Sequence, residues 1–337
     1  MKTRQMKKTK VLAIAMFGYL LCIANLHAAE SPEIRRAIDY GAKGKITLRV
    51  VDSKGNPVAG AKVSAGFYNP RNEADGMDGT TDANGQFTAS GTPNGDMHYQ
   101  ITKDGYYKTE SSYWFYRQNE PQIVKDGRWQ PWNPTNTVVL KEKRKPIAMF
   151  ARFADKVIPV QGKPIGFDLE YCDWVTPYGI GKISDLIFQY DGAYKGSQEY
   201  SKQIKINFSS ENDGLESFEL DKTSELMSQY NASDTGYVSN ITFERERTPI
   251  KILKSEELDE NHYLIFRVRS VTDSTGKIIG ANYGKIYGPI EYGTMGKEQR
   301  LTFTYYFNPD GTRNLEFNPQ LNLFTNLPWL EEKVSKP

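Results

Sequence analysis

Two aromatic clusters carry the residue types in this chain best suited to binding chemistry. The first is Tyr113-Trp114-Phe115-Tyr116, and the second is Trp129-Gln130-Pro131-Trp132-Asn133-Pro134. They hold three of the five tryptophans, interleaved with Arg117, Gln118, Asn119 and Gln130. Flat rings offer apolar faces to the C–H groups of a sugar, and neighbouring amides reach its hydroxyls. Pro121, Pro131 and Pro134 stiffen the intervening segment, which lowers the ordering cost of binding. On this reasoning the candidate ligand-binding residues are Trp114, Tyr116, Gln118, Trp129, Gln130 and Trp132. The competing reading has the same rings filling a seam between two domains, and the general habit of large aromatics favours it.

Residues for catalysis are few. Of three histidines, His27 lies in the N-terminal leader, while His98 and His262 are followed three residues later by Ile101 and Ile265. Neither opens the His-x-x-Glu pair that a zinc peptidase needs around an open metal position. No Gly-x-Ser-x-Gly elbow occurs. Asp168, Glu170 and Asp173, beside Tyr171 and Trp174, form the densest acidic group near aromatics. A glycoside hydrolase needs two such carboxylates, at no fixed spacing in sequence. Strand alternation, however, puts Asp168 and Glu170 on one face, the kind that usually meets solvent. The oxygen-rich run from Asp75 to Gly85 suits a calcium loop in composition, yet lacks the closing glutamate, so a sheet corner is the better reading. Glycines beside lysines at Gly276-Lys277 and Gly284-Lys285 read as turns, with no phosphate loop. No metal, cofactor or catalytic residue is expected.

The elements that must position these residues follow a targeting segment. Lys2, Arg4, Lys7, Lys8 and Lys10 precede an apolar run from Val11 to Asn25, and Leu26-His27-Ala28-Ala29 offers a cleavage site. Residues 1–29 are therefore predicted as a signal peptide, and no membrane span is expected after its removal. Loss of that segment leaves 38 Lys and Arg against 41 Asp and Glu, a net charge of about −3, and no electrostatic footprint for nucleic acid. Cys172 alone survives cleavage, so no internal disulfide is expected and a buried thiol is. The destination is periplasmic or extracellular.

After a linker at 30–44, with one helical turn at Ile34–Ile38, short strands alternate with turns. The predicted strands are Ile46–Asp52, Ala61–Tyr68, Gly85–Ser90, His98–Lys103, Tyr107–Tyr113 and Thr137–Lys141. The charged run Glu142-Lys143-Arg144-Lys145-Pro146 marks a domain boundary. Beyond it, residues 147–330 read as a second β-rich domain. Its predicted features are a hairpin around Asp273–Lys277, a second hairpin joining Leu301–Phe307 to Leu315–Phe317, and a short helix at Ser224–Tyr230.

Three turn segments appear in a set order: Asp52-Ser53-Lys54-Gly55-Asn56-Pro57, Thr81-Asp82-Ala83-Asn84-Gly85, and Lys103-Asp104-Gly105-Tyr106-Tyr107. In order and spacing the region 45–142 resembles the carboxypeptidase regulatory-like domain, a small transthyretin-like β-sandwich. The resemblance implies an accessory module rather than a catalytic one, similar in shape to carbohydrate-binding-like modules. The C-terminal region resembles no family of known activity. The expectation is an all-β chain: a transthyretin-like sandwich, then a second sandwich-like domain. Its expected role is that of an exported, non-catalytic binding or envelope-associated protein, recognising a glycan or surface polymer. The alternatives are a structural subunit bound to an envelope protein, or a carboxylate-dependent glycoside hydrolase.

Overall fold

The computed structural model describes residues 31–69, 75–117, 123–254, 260–295, 298–325, 327 and 334–337, so the predicted signal segment and Gln118 lie outside the described residues. The described residues open with helix α1, Pro32–Tyr40, longer than the single turn expected. Ile34 donates its backbone N–H to the Ser31 hydroxyl, Pro32 starts the helix and Glu33 sits in its first turn, all favourable at a helix N-terminus. Ile34 and Ala37 are buried, and Ala37 and Ile38 pack on the core of the first sandwich.

That sandwich contains β1 (Gly44–Val51), β2 (Lys62–Phe67), β3 (Asp75–Thr80), β4 (Gln86–Gly91), β5 (Asp96–Thr102), β6 (Thr109–Trp114) and β9 (Thr135–Val139). One sheet runs β4-β1-β9, with β9 parallel to β1, and the other runs β3-β2-β5-β6. A small hairpin, β7 (Ile123–Lys125) and β8 (Arg128–Gln130), closes one end. Alternation in β2 sends Val63, Ala65 and Phe67 inward to meet Ile46, Leu48 and Val50 of β1. The turn motifs behave as their chemistry requires. Asp52 accepts the N–H groups of Lys54 and Asn56 at 2.8 and 2.9 Å, and Asp82 does the same for Asn84 and Gln86. Gly85 has φ +71° and packs so closely that a Cβ would lie 2.4 Å from the Val50 carbonyl oxygen.

Residues from Ile147 onward form a larger sandwich of two six-stranded sheets. The first consists of β10 (Ile147–Val157), β15 (Gly214–Glu219), β18 (His262–Thr272), β19 (Ile278–Met295), β20 (Glu298–Asn308) and β21 (Phe317–Asn322), in the order β15-β18-β19-β20-β10-β21. The second consists of β11 (Ile165–Asp168), β12 (Asp173–Trp174), β13 (Leu186–Gly196), β14 (Glu199–Asn207), β16 (Asn240–Thr248) and β17 (Lys251–Lys254), in the order β12-β11-β13-β14-β16-β17. Phe167, Trp174, Phe188 and Phe303 interlock edge to face between the sheets, with Phe167 5.4 Å from both Trp174 and Phe303. The first sheet is buried on its outer face too, where Tyr263, Tyr283, Tyr287, Tyr306 and Phe317 pack beneath the 220–234 loop. Double burial explains why four successive residues are buried at Tyr263–Phe266 in β18 and again at Tyr305–Asn308 in β20.

Two expectations are corrected here. The segments 301–307 and 315–317 do not pair as a hairpin, because β10 lies between β20 and β21 and runs parallel to the latter. Ser224–Tyr230 is not a helix. Its backbone is spent on both sandwiches: Ser224 bridges Thr109 and Glu225 donates its N–H to the Lys108 carbonyl at 2.8 Å, while Ser228 and Gln229 donate theirs to the Tyr287 and Tyr263 hydroxyls. The hairpin around Asp273–Lys277 forms as expected, joining β18 and β19.

Glu316 ties the two sandwiches together. Almost wholly buried, it accepts the Tyr107 hydroxyl at 3.0 Å and the backbone N–H groups of Arg144 and Lys145 at 2.9 and 3.0 Å. Beneath it lies Lys285, fully buried, with Nζ donating to Ser228, Tyr287 and the Leu315 carbonyl. Burial pushes this ammonium well below the ordinary lysine value, with Glu316 acting in the opposite direction.

Candidate functional site

The aromatic residues singled out by sequence occupy the end of the first sandwich where β6 leaves its sheet and the β7–β8 hairpin packs. Trp114 is the last residue of β6, an edge strand, and points to solvent at 53% exposure. Phe115 turns inward, and it and Tyr116 both donate backbone N–H groups to the Gly95 carbonyl, at 2.7 and 2.9 Å. Trp132 follows β8 and is 38% exposed, with the Arg128 guanidinium 5.0 Å from its ring centre. Gln130 accepts the Trp132 backbone N–H at 3.2 Å through Oε1, holding that loop. Tyr116 is half-buried, 6.4 Å from Trp129.

Trp129 does not share this surface. It is 1% exposed and belongs to the core of the first sandwich, with its indole N–H donated to the Pro93 carbonyl at 3.0 Å. Both faces and the polar edge are occupied, so Trp129 drops out of a ligand platform. Alternation in β8 explains the difference, since Arg128 and Gln130 point away from the core that Trp129 fills. Trp129→Phe should therefore leave ligand binding intact and lower stability by about 1–3 kcal/mol, through the lost indole hydrogen bond and the smaller ring, although the Pro93 carbonyl keeps the Ala42 N–H. Urea denaturation alongside a binding assay checks both halves.

The rings do not fill the seam between the sandwiches either. That seam is built from Tyr107, Lys141, Asp221, Tyr230 and Glu316, including an Nζ–Oδ2 ion pair of 2.8 Å between Lys141 and Asp221. The Arg144 guanidinium covers the Tyr230 ring at 3.7 Å.

The acidic group in the second sandwich is structural. Asp168 is 1% exposed, not solvated as alternation suggested, because β11 ends there and the carboxylate turns to hold the loops that follow. It accepts the N–H groups of Glu170, Tyr171, Lys182 and Ile183. Arg269 reaches Asp185 through two hydrogen bonds of 2.7 and 3.0 Å and also pairs with Glu170. Asp173 pairs with Lys156 and accepts the Ile180 N–H. With their lone pairs committed to backbone and arginine, these carboxylates are poorly placed to exchange protons with a substrate. Among the described residues no group of three His, Cys, Asp or Glu side chains is arranged to hold a metal ion. Cys172 is buried and forms no disulfide. Sequence reasoning missed Arg269 and Asp185, whose pairing joins positions 84 residues apart.

The decisive comparison concerns the turns around Asp52, Asp82 and Asp104. Residues 45–125 match the carboxypeptidase regulatory-like domain family. The match ends before β9, the strand that completes the β4-β1-β9 sheet. Comparison with curated proteins gives no match. Among solved structures, the chain is similar to 3-chlorocatechol 1,2-dioxygenase from Rhodococcus opacus 1CP at 14% identity and a TM-score of 0.26, over 31% of this chain and 62% of that one. It thus spans about six tenths of that enzyme's length. It is also similar to the major pilin subunit of Bacillus cereus at 12% identity and TM-score 0.23, over 81% and 99% of the two chains. A third similarity is to the shaft pilin of Lactobacillus rhamnosus GG, at 11% identity and TM-score 0.22, over 68% and 89%. At these scores the likenesses carry no functional argument. Among the described residues no helix is long and apolar enough to cross a membrane.

Proposed function

We propose that this is an exported, non-catalytic binding protein whose regulatory-like domain presents an aromatic surface to a glycan or other surface polymer. The proposed division places that domain at 45–142 and a second domain at 147–330, joined through the Glu316 seam. The observation that carries the reading is the outward position of Trp114 and Trp132, with Arg128 against the latter and Gln130 beside it. Exposed tryptophans at the end of a rigid sandwich offer stacking area without a large ordering cost. Tyr116, and Gln118 on the adjoining segment, are the proposed flanking contacts. Affinity electrophoresis through gels containing soluble polysaccharides tests the idea. Retardation by at least one polymer is expected, and it should be lost in Trp132→Ala and weakened in Trp114→Ala.

A second reading, a subunit that docks onto an envelope protein, draws on another observation. The β16–β17 hairpin tip exposes Ile250 at 96%, with Ile252 also exposed, and Tyr194 is exposed at the neighbouring β13–β14 tip. If no polymer retards the protein, substitution of Ile250 and Ile252 in a pull-down is the next test.

A further inference from the structure

A cleft of about 410 Å³ opens where the two sandwiches meet, lined by Lys108 and Tyr106 of the first and Glu225 of the second. Four lysines line it: Lys62 at the start of β2, Lys103 and Lys108 flanking the β5–β6 turn, and Lys143 on the connecting segment. Gly60, Gly105 and Tyr106 form part of its walls. The frame is fixed by backbone hydrogen bonds. Lys143 donates its N–H to the Gly105 carbonyl at 2.8 Å, Tyr106 donates to the Lys103 carbonyl at 3.0 Å, and Glu225 donates to the Lys108 carbonyl at 2.8 Å.

Charge in the cleft is not balanced by its own walls. Lys108 pairs with Glu110, which stands outside the lining, and Glu225 takes the Lys108 backbone N–H. Lys103 Nζ donates to the Gly60 carbonyl, at 3.4 Å, and Lys143 Nζ lies 5.5 Å from the Tyr107 ring centre. Among the described residues no carboxylate stands within ion-pair distance of Lys62, Lys103 or Lys143. Asp104 and Glu225 are the acidic side chains of the lining. The chain as a whole is nearly neutral, with 43 basic and 41 acidic residues, so this concentration is local. Separate ammonium groups suit several anionic groups spaced along one ligand, where an arginine fork would suit a single one.

We propose that this cleft binds a ligand carrying several carboxylates, a site distinct from the aromatic surface and independent of it. Such groups come from a free polycarboxylate or from an acidic polysaccharide, and titration calorimetry separates the two with citrate and polygalacturonate as probes. The full chain without its first 29 residues is titrated at low and high salt, with dextran as the uncharged control. Saturable heat with polygalacturonate is expected, about tenfold weaker in Lys103→Ser and weaker again in Lys103→Ser/Lys143→Ser, and reduced by salt. Both substitutions remove solvent-reaching side chains, so unfolding midpoints should stay at the wild-type value. Citrate binding lost in the same variants would assign the site to free polycarboxylates as well. Polymer binding without citrate binding would assign it to acidic glycans. No saturable heat with either probe, or equal weakening by Lys251→Ser on the distant β16–β17 hairpin, would overturn the proposal.

Discussion

Glu316→Ala should destabilise the protein by about 3–5 kcal/mol, because it strips a buried carboxylate from three donors at once. The Tyr107 hydroxyl and the Arg144 and Lys145 N–H groups all point at this side chain. Glu316 itself is 2% exposed. The loss has a local consequence as well as a global one. Arg144 and Lys145 belong to the strip joining the sandwiches, and releasing their backbone should expose that strip to trypsin. The expected result is a lower urea midpoint together with rapid cleavage near residues 143–145. Glu316→Gln refines the account: an amide oxygen can still accept, but its NH2 must face a donor, so an intermediate loss is expected. A Glu316→Ala protein within 1 kcal/mol of wild type, with unchanged proteolysis, would show that the clamp does not hold the seam.

Arg269→Ala should be comparably damaging, by about 3–5 kcal/mol at neutral pH, because it leaves buried anions without their cation. Arg269 binds Asp185 through two nitrogens, pairs with Glu170 and stands 3.9 Å from Asp168. Burial raises the Asp185 carboxyl above its usual value of 3.8, and Arg269 opposes that rise. A carboxyl whose folded pKa is raised binds its proton more readily in the native state than in the unfolded chain. Its ionisation therefore costs stability above the folded pKa, and that cost disappears as pH falls through the folded pKa to the unfolded value. Without Arg269 the cost is larger. The gap between variant and wild type should be widest near neutrality and should narrow on acidification toward pH 4. Urea denaturation of both proteins across that range measures it. A gap that is constant with pH would place the arginine's role in packing over Phe307, where its guanidinium lies 4.9 Å from the ring centre, rather than in charge.

The legible parts of this fold were those written in local chemistry. Asp52, Asp82 and their following glycines mark turns because side-chain carboxylates bind backbone N–H groups two and four residues on, within one short segment. The alternation of β1, β2 and β5 was equally plain. β3 escaped because Asp75–Thr80 has no apolar alternation, being an edge strand with little of it buried. Its Gly79 serves instead to let the sheet approach Phe87, whose ring would stand 2.5 Å from a Cβ there. The parallel pairing of β10 with β21 has no local signal, since the turn at Asn308–Gly311 fits a hairpin as well as a departure from the sheet. Tertiary contacts overrode the helical pattern at Ser224–Tyr230.

The aromatic site was half legible. Residue types found the right region, yet they could not separate Trp129 from Trp132, which differ only in the direction the chain turns after β8. Asp168 misled for a related reason. Alternation holds only while the strand lasts, and β11 stops at that residue. Glu316, Lys285 and Arg269 depend on partners far away in sequence, and nothing in their neighbours marks them as buried.

The most direct test of the binding account is a tryptophan-fluorescence titration of the chain without its first 29 residues against a panel of soluble polysaccharides, repeated on Trp114→Phe, Trp132→Phe and Trp129→Phe. The account predicts a saturable change with at least one polymer that is diminished in the first two variants and retained in the third. A change that vanishes only in Trp129→Phe, or none across the whole panel, would contradict it and leave the exposed rings without a glycan to bind.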